Sequence, residues 1–386
     1  MYRVALVASH VIQYQAPFFR LLAAERDLDL TVLFCSPAGA ESYVDADMQT
    51  TLRWDLDLLG GYEHQFLRNY GTGDGYTRLV NPSIVPAILR GRYDAVIFFL
   101  GWGTITSLLG IAACRMSDTP YLLFGDSSFI PPPRVARDAL LRAIVGLADG
   151  LLVSGAFNAH YYQHYGADPA RFFAVPWAID NERFATASRF APNEREALRA
   201  RAGIRDDSMA IVFSAKILPR KDPMTLLRAV DAMRHRDRAA VIFLGHGELR
   251  EDAETFARER GLNVHFAGFV NQTDLPKRYA MADVFVLPSL DDPRATVVNE
   301  AMACGLPVLI TDRCGPAGDI VRHGENGFVF QAGDFLTLAS HLDTLAADAR
   351  LRARMGERSR AIIATWDYSQ GVKGVMSALR SLEREQ

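Results

Sequence analysis

Short apolar runs recur along the first half of the chain, separated by segments in which apolar residues follow helical spacing. The runs predict strands at Val4–Ala8, Leu30–Phe34, Ala95–Leu100, Tyr121–Phe124, Leu151–Val153 and Phe172–Val175. The intervening segments predict helices at Ala16–Ala24, Ile105–Cys114, Val135–Leu147 and Ala156–Tyr165. Because strands alternate with helices, we expect a parallel sheet built from βαβ units.

The second half repeats this alternation more regularly. Its apolar runs predict strands at Ala210–Ala215, Ala240–Leu244, Val264–Phe266, Val284–Leu287, Val308–Ile310 and Phe328–Phe330. Its amphipathic segments predict helices at Pro223–Arg234, Leu249–Arg260, Asp274–Ala280, Thr296–Cys304 and Leu336–Ala346. A polar stretch at 177–207 separates the halves, and residues 37–80 have the irregular composition of an elaborated loop. We therefore expect two doubly wound α/β domains, with the cleft between them as the default ligand site.

Bulk composition excludes several classes of protein. The 386 residues are 49% hydrophobic with a net charge of −3, which suits a globular protein of about two domains and gives no basic field for nucleic acid. No apolar stretch is long enough to span a bilayer, and the first strand follows the N-terminus without a signal-peptide pattern. We expect a cytoplasmic protein, with contact at the inner face of a membrane left open. The four cysteines lack metal-site spacing, which favours buried thiols.

Cations gather after the first strand of the second half. Only four lysines occur among 42 basic residues, yet Lys216 and Lys221 lie close together with Arg220 between them. Pro223 suits the first turn of the following helix, and Asp222 suits its cap. Cations at a helix N-terminus are unfavourable unless an anion binds there, so the pattern predicts a diphosphate site. The alternative is a solvated charged loop.

Two acids follow the strand at Val284–Leu287. Asp292 lies on a polar loop, and Glu300 lies on the next helix after seven intervening residues. Open α/β sheets bind ligands at the carboxyl ends of their strands. Carboxylates there can accept hydrogen bonds from hydroxyl groups, so the pair indicates a polyol such as a sugar or a ribose. A solvated loop and an ordinary helix explain the two acids about equally well.

Other loops contribute weaker signals. Gly245 and Gly247 flank His246 in a turn that would let backbone approach a ligand, although a glycine pair after a strand is common. Phe269 follows another strand, where a base could lie against the turn. In the first half, Asp126 at a strand end is a candidate base or polar anchor, and ordinary loop chemistry explains it as well.

Three segments of the second half together resemble a known family. Ser214–Asp222 is similar to a Gly-Arg-Leu-x-x-x-Lys-Gly motif, Leu244–Glu248 to a Gly-x-Gly turn, and Asp292–Pro307 to a Glu-x7-Glu motif followed by Ala-Met-Ala-x-Gly-x-Pro. The family is that of the retaining GT-B glycosyltransferases of family 4, also called glycosyl transferases group 1. The similarity is strongest over 209–330 and looser in the first half.

The resemblance implies a fold and domain boundaries. The GT-B fold has two Rossmann-like doubly wound domains facing across a cleft, with a C-terminal helix that crosses back to the first domain. On this chain the acceptor domain would comprise 1–182 plus the helix 366–386. A linker would follow at 183–207, and the nucleotide-sugar domain would comprise 208–365.

The resemblance also implies an activity and roles for individual residues. The enzyme would be a hexosyltransferase that moves a sugar from a UDP- or GDP-linked donor to an acceptor hydroxyl, in polysaccharide or glycoconjugate biosynthesis. A lipid-linked, glycan or small-molecule acceptor is compatible with the family, as is contact with a membrane. Transferring roles by position places Lys216 and Lys221 on the diphosphate, Asp292 on the sugar, Glu300 on the ribose, Gly245 and Gly247 in the glycine turn, and Phe269 and Val270 beside the base. Arg220 joins the donor site through the cationic pattern described above.

Departures from the family pattern keep other functions open. Asp292 stands where the family usually has Glu, Lys216 where it has Arg, and Asp126 near a place where members often carry His. These departures leave the donor geometry and the acceptor-side base open, and Asp126 would either receive the acceptor proton or orient the acceptor. We expect no metal, because lysines can oppose the diphosphate charge and the one Asp-x-Asp sequence, Asp45-Ala-Asp47, suits a surface loop. The alternatives are a sugar-nucleotide epimerase of the same fold and a non-catalytic nucleotide-sugar binder.

Overall fold

The computed structural model describes residues 1–45, 47, 50–72, 76–189 and 192–383. The chain forms two compact α/β units. Unit 1 comprises Met1–Tyr43, Thr51–Ala178 and Asp367–Gln386, and unit 2 comprises Val44–Thr50 and Ile179–Trp366. The last helix of the chain belongs to unit 1, as the resemblance implies, and residues 384–386 of that predicted helix lie outside the described residues.

Unit 1 is built on a parallel sheet of seven strands. In spatial order these are β5 (Glu63–Phe66), β2 (Leu28–Phe34), β1 (Tyr2–Ala8), β6 (Ala95–Phe98), β7 (Tyr121–Phe124), β8 (Gly150–Val153) and β9 (Phe172–Ala174). The central strands β6 and β7 are buried along their whole length, which explains why they read as continuous apolar runs. The strands β3 (Tyr43–Asp45) and β4 (Thr50–Leu52) form a separate two-stranded sheet.

Helices cover both faces of this sheet. One core contains residues of α1 (Ala16–Ala23) and α14 (Tyr368–Leu382). The other core contains residues of α2 (Ile84–Gly91), α3 (Ile105–Met116), α4 (Val135–Leu147) and α5 (Ala156–His164). The four helices of the second core therefore lie on one face of the sheet and α1 and α14 on the other.

Unit 2 is built on a parallel sheet of six strands. In spatial order these are β12 (Val264–Gly268), β11 (Ala239–Leu244), β10 (Met209–Ser214), β13 (Val284–Leu287), β14 (Val308–Thr311) and β15 (Gly327–Phe330). Chain order along the sheet is thus 3-2-1-4-5-6, the doubly wound arrangement of dinucleotide-binding domains. The order reverses between β10 and β13, and ligands of such sheets bind at that reversal.

The helices of unit 2 lie before, between and after these strands along the chain. They are α6 (Asn181–Ala187), α7 (Pro192–Arg201), α8 (Pro223–Ala232), α9 (Arg250–Arg260), α10 (Leu275–Ala280), α11 (Thr296–Ala303), α12 (Phe335–Ala347) and α13 (Ala349–Ile363). The segment expected to be a linker, 183–207, contains most of α6 and all of α7. No helix among the described residues is both long and apolar enough to cross a membrane.

The strands and helices predicted from the apolar spacing are confirmed, and their ends differ from the observed ones by at most two residues. The elements that were not predicted are β3, β4, β5, α2, α6, α7 and α13. β5 lies within the segment expected to be an elaborated loop, and its residues are mostly exposed polar ones. α2 contains Pro86, and the many arginines of α13 obscure the spacing of its buried Met355, Ile362 and Ile363. The prediction of buried thiols is also confirmed, because all four cysteines are free and buried.

Candidate functional site

Most predicted site residues lie at one edge of the unit 2 sheet. Gly245 and Gly247 follow β11, Phe269 follows β12, and the cationic segment follows β10. Asp292 follows β13. These strands are parallel neighbours, so their carboxyl ends meet at the same edge. The reversal between β10 and β13 places the cationic segment beside the acidic loop.

Lys221 and Asp292 form a buried ion pair at this reversal. The Lys221 ammonium donates to Oδ2 of Asp292, and each side chain is only 9% exposed. A tight turn at Pro219–Lys221, which follows β10, brings Lys221 into place. Oδ1 of Asp292 accepts the Ala295 N–H at 3.1 Å. Both groups are therefore buried, which contradicts the alternative that they lie in solvated loops.

The other two cations of the segment are more accessible. Lys216 contacts Asp45 and Asp47, with its ammonium 2.8 Å from a carboxylate oxygen of each. Those two acids belong by contacts to unit 2, through residues 44–50. Asp45 is 9% exposed, so the expectation that Asp45 and Asp47 form a surface pair is wrong for Asp45. Arg220 is exposed at the same edge.

Two helices begin at this edge with different N-termini. At α8, Asp222 has a left-handed φ of 46°, and its carboxylate accepts the Thr225 N–H, which confirms the predicted cap. That carboxylate already occupies the positive end of α8. At α11 no side chain caps the helix, and the residue before it, Ala295, is also left-handed with a φ of 41°. Of these two helices, α11 is therefore the one whose first N–H groups can receive an anion.

Glu300 is buried on α11 and held by a tyrosine. The Tyr279 hydroxyl donates to Oε2 of Glu300 at 2.7 Å, and Glu300 and Tyr279 are 6% and 0% exposed. Burial raises the pKa of Glu300 to about 7, although the Tyr279 hydrogen bond and the charge of Arg183 oppose this rise. Burial also raises the pKa of Tyr279 far above its ordinary value, so Tyr279 remains a hydrogen-bond donor.

The glycine turn after β11 packs directly against the backbone that leads to Lys216. A Cβ on Gly245 would lie 2.1 Å from the Ala215 carbonyl oxygen, and the φ of Gly245 is 144°, where side chains are strained. The Gly245 N–H donates to the Gly268 carbonyl at 2.8 Å. This bond ties the turn to the end of β12, and Phe269 and Val270 follow there, both partly buried.

Asp126 belongs to unit 1 and not to the unit that holds the other predicted residues. It follows β7 and is partly buried. The amide of Asn158, which is 1% exposed, donates to the carbonyls of Gly125 and Ser127 on either side of Asp126. The structure thus gives Asp126 a braced backbone at the carboxyl end of a strand.

Two features of the site escaped the sequence interpretation. The first is the uncapped start of α11. The sequence does contain a signal for it, because Asp292-Pro-Arg-Ala places no capping residue directly before Thr296. Tyr279 gave no such signal, since a tyrosine in a short helix is an ordinary core residue. Among the described residues no group of three His, Cys, Asp or Glu side chains is arranged to hold a metal ion.

Comparison with known sequences identifies relatives of the chain. The family model described as glycosyl transferases group 1 matches residues 194–362. The chain is 31% identical over 299 residues to the GDP-mannose-dependent alpha-(1-6)-phosphatidylinositol monomannoside mannosyltransferase of Mycolicibacterium smegmatis, a match covering 73% of this chain and 76% of that protein. It is also 31% identical over 250 residues to the D-inositol 3-phosphate glycosyltransferase of Geodermatophilus obscurus, covering 61% of this chain and about half, 54%, of that protein.

Comparison with solved structures shows the same fold. Anabaena Alr3699/HepE in complex with UDP superposes with a TM-score of 0.76 at 19% identity, covering 99% of this chain and 100% of that one. Sucrose-phosphate synthase from Thermosynechococcus elongatus superposes with a TM-score of 0.74 at 16% identity and full coverage of both chains. The fold is GT-B, with two Rossmann-like units. By its match to the mannosyltransferase over most of both lengths, the chain belongs to the glycosyl transferases group 1.

Proposed function

We propose that this protein is a retaining glycosyltransferase that moves a hexose from a nucleoside diphosphate sugar to an acceptor hydroxyl. The bond between the anomeric carbon and the diphosphate oxygen breaks, and the acceptor oxygen bonds to the same face of the sugar and gives up its proton. The observation that carries the proposal is the buried Lys221–Asp292 pair beside the uncapped start of α11, with Glu300 on the same helix.

The donor fits the edge of the unit 2 sheet. We place the diphosphate on Lys221, Lys216 and Arg220 and on the first N–H groups of α11. Glu300 accepts hydrogen bonds from the ribose hydroxyls. The turn at Gly245 and Gly247 lets the donor approach the backbone, and Phe269 and Val270 flank the base. UDP and GDP are both candidates, since a structural neighbour binds UDP and a relative uses GDP-mannose.

Stabilisation of the leaving diphosphate is the main catalytic effect in this proposal. Negative charge grows on the diphosphate as the sugar departs, and Lys221 is already desolvated where that charge appears. One well-placed donor of this kind contributes about 3 kcal/mol to transition-state stabilisation. Asp292 both orients Lys221 and contacts the sugar. Because cations and helix N–H groups perform this work, we propose that no metal is required.

The acceptor side of the reaction belongs to unit 1. Asp126 follows the carboxyl end of β7, where it receives the acceptor proton or orients the acceptor. A lipid-linked or polysaccharide acceptor agrees with the phosphatidylinositol mannoside named for the mycobacterial relative. We place the reaction in the cytoplasm, at the inner face of a membrane.

A ligand screen followed by a transfer assay tests the proposal. UDP, GDP and ADP are compared by thermal shift, since a ligand that binds the folded state raises its stability. The matching sugar donors are then incubated with and without acceptors. Lys221→Ala should abolish both the shift and transfer, and Asp292→Glu should retain transfer. Lys373→Ala, which removes an exposed lysine of α14, is the matched control.

The same assays separate the alternative functions. Donor binding without transfer or hydrolysis would indicate a non-catalytic binder, for which the short Asp292 side chain and its commitment to Lys221 would be the reason. An isomerised donor in the absence of acceptor would indicate an epimerase. Wild-type turnover by Lys221→Ala would refute the assignment of the diphosphate to Lys221.

A further inference from the structure

A cavity of about 270 Å³ opens at the amino ends of the unit 2 strands. Its wall includes Met209, the first residue of β10, and Arg238 and Asp283, which directly precede β11 and β13. Because β10 pairs in parallel with both neighbours, this edge is opposite to the one that holds Lys221 and Asp292. The six residues of β10 separate the two edges by about 20 Å. The cavity is therefore distinct from the candidate donor site.

Four arginines line the cavity and have one carboxylate partner between them. Arg195 and Arg199, both on α7, donate to the two oxygens of Asp283 at 2.8 and 3.1 Å. Arg238 and Arg352 form no ion pair with any residue that the structure describes. The wall thus contains more guanidinium groups than carboxylates available to them.

The acids of the wall do not offset this positive charge. Asp283 already accepts three hydrogen bonds, the third from the Ala210 N–H at 2.7 Å. Asp207 pairs with Arg205, an arginine outside the cavity wall, at 3.1 Å. Asp206 is exposed, so water and salt screen its charge. The charges of Arg238 and Arg352 therefore have no counterpart among the described residues of the cavity.

Hydrogen bonds to the backbone hold two of the arginines in place. Arg199 is 2% exposed and donates to the carbonyls of Met281 and Ser208 as well as to Asp283. One terminal nitrogen of Arg352 donates to the Leu345 carbonyl in the last turn of α12, and its other nitrogens remain available for a ligand. A positively charged wall that is already ordered binds an anion with little further loss of side-chain freedom.

We propose that this cavity binds a small anion that carries a phosphate group. Guanidinium groups donate paired hydrogen bonds to phosphate oxygens, and a doubly charged phosphate suits a wall in which both Arg238 and Arg352 lack an anionic partner. Pockets for drug-sized ligands have volumes of roughly 300–1,000 Å³. The smaller volume here favours inorganic phosphate or a small phosphate ester over a nucleotide sugar. The proposal concerns a second ligand and goes beyond the proposed sugar transfer.

Calorimetry on the full chain tests the proposal without any sugar donor. The protein is titrated with sodium phosphate, ribose 5-phosphate and ribose, while sodium chloride keeps the ionic strength constant. We expect both phosphates to bind and ribose not to bind. Tighter binding of ribose 5-phosphate would identify a phosphate ester as the ligand, and equal affinities would identify free phosphate. Arg238→Gln and Arg352→Gln should each lower the affinity about tenfold or more, because each removes charge-assisted hydrogen bonds.

Matched variants and a donor-site variant complete the design. Arg236→Gln changes an arginine in the same turn as Arg238 that pairs with Asp231, and Arg354→Gln changes an exposed arginine of α13. Both should keep wild-type phosphate affinity. Because Arg238 is exposed, its variant should melt at the wild-type temperature even if Arg352→Gln is less stable.

Three results would overturn the proposal. These are no phosphate binding by the wild-type chain, equal losses of affinity in the control variants, and a loss found in Lys221→Met but not in Arg238→Gln or Arg352→Gln. The last result would place the phosphate at the donor edge instead. Because no donor is present, a failure of the sugar-transfer assays would leave these outcomes unaffected.

Discussion

Replacing Lys221 by Met leaves the Asp292 carboxylate buried without its counter-charge. Both side chains are 9% exposed, so water cannot easily take the place of the ammonium. Methionine keeps the length and apolar stem of lysine, which limits the change to the loss of charge. We expect the variant to fold but to lose stability in unit 2, because removal of one partner from a buried pair leaves the other charge unpaired.

The structure sets the size of this effect. Loss of one partner of a buried ion pair costs about 3–5 kcal/mol. Asp292 keeps one hydrogen bond, from the Ala295 N–H at 3.1 Å, so the lower end of that range applies. A loss of about 3 kcal/mol corresponds to a fall of about 6–12 °C in the melting temperature of a unit of this size. Asp292→Asn, which leaves Lys221 unpaired, should cost a similar amount.

A double-mutant cycle isolates the pair. Free energies of unfolding are measured by urea titration for Lys221→Met, Asp292→Asn and the double variant, with Lys373→Met as an exposed control. The double variant has no charge to leave unpaired, so it should be more stable than the sum of the single losses predicts. If the two losses simply add, Lys221 and Asp292 do not interact in the folded protein and the reasoning fails.

Three further predictions concern Glu300, Tyr279 and Gly245. Burial raises the pKa of Glu300 from 4.5 to about 7. Between these two pH values the folded state holds a proton that the unfolded chain releases. The free energy of unfolding should therefore fall by about 3 kcal/mol as pH rises across that interval. Urea titrations at several pH values should show this fall of the unfolding free energy with pH in the wild type and not in Glu300→Gln. The same pH dependence in Glu300→Gln would assign it to other groups. Tyr279→Phe removes a hydrogen bond that lowers the pKa of Glu300. The pH at which UDP affinity is half lost, measured by calorimetry, should therefore move upward. A purely structural role of Tyr279 would leave that pH unchanged. Gly245→Ala should lose more than about 1–3 kcal/mol of stability in thermal unfolding, because the added Cβ clashes with the Ala215 carbonyl oxygen and the backbone conformation is strained. The control is Gly146→Ala, whose added Cβ has no neighbouring atom within 4 Å. Equal stability of the two variants would contradict this prediction.

Local patterns in the chain were sufficient to predict most elements. The helix at Val135–Leu147 and the strand at Val284–Leu287 have the predicted ends because their own residues carry the spacing that burial requires. Elements whose burial is one-sided or interrupted escaped prediction. β5 is mostly exposed, α2 contains a proline, and α13 is rich in arginine. Their positions depend on what they pack against more than on their own composition.

The sequence motifs alone placed cations, acids and glycines at the carboxyl edge of one sheet, because parallel strands bring their ends together. Only the tertiary structure decided what these groups do to one another. Lys221 meets Asp292 across 71 positions of the chain, Lys216 meets Asp45 across 171, and Tyr279 holds Glu300 from 21 positions away. The ionisation, burial and orientation of a side chain depend on neighbours within a few ångströms. Here those neighbours come from segments that are distant in the sequence, and the spacing of residues within one segment does not predict which distant segments it contacts.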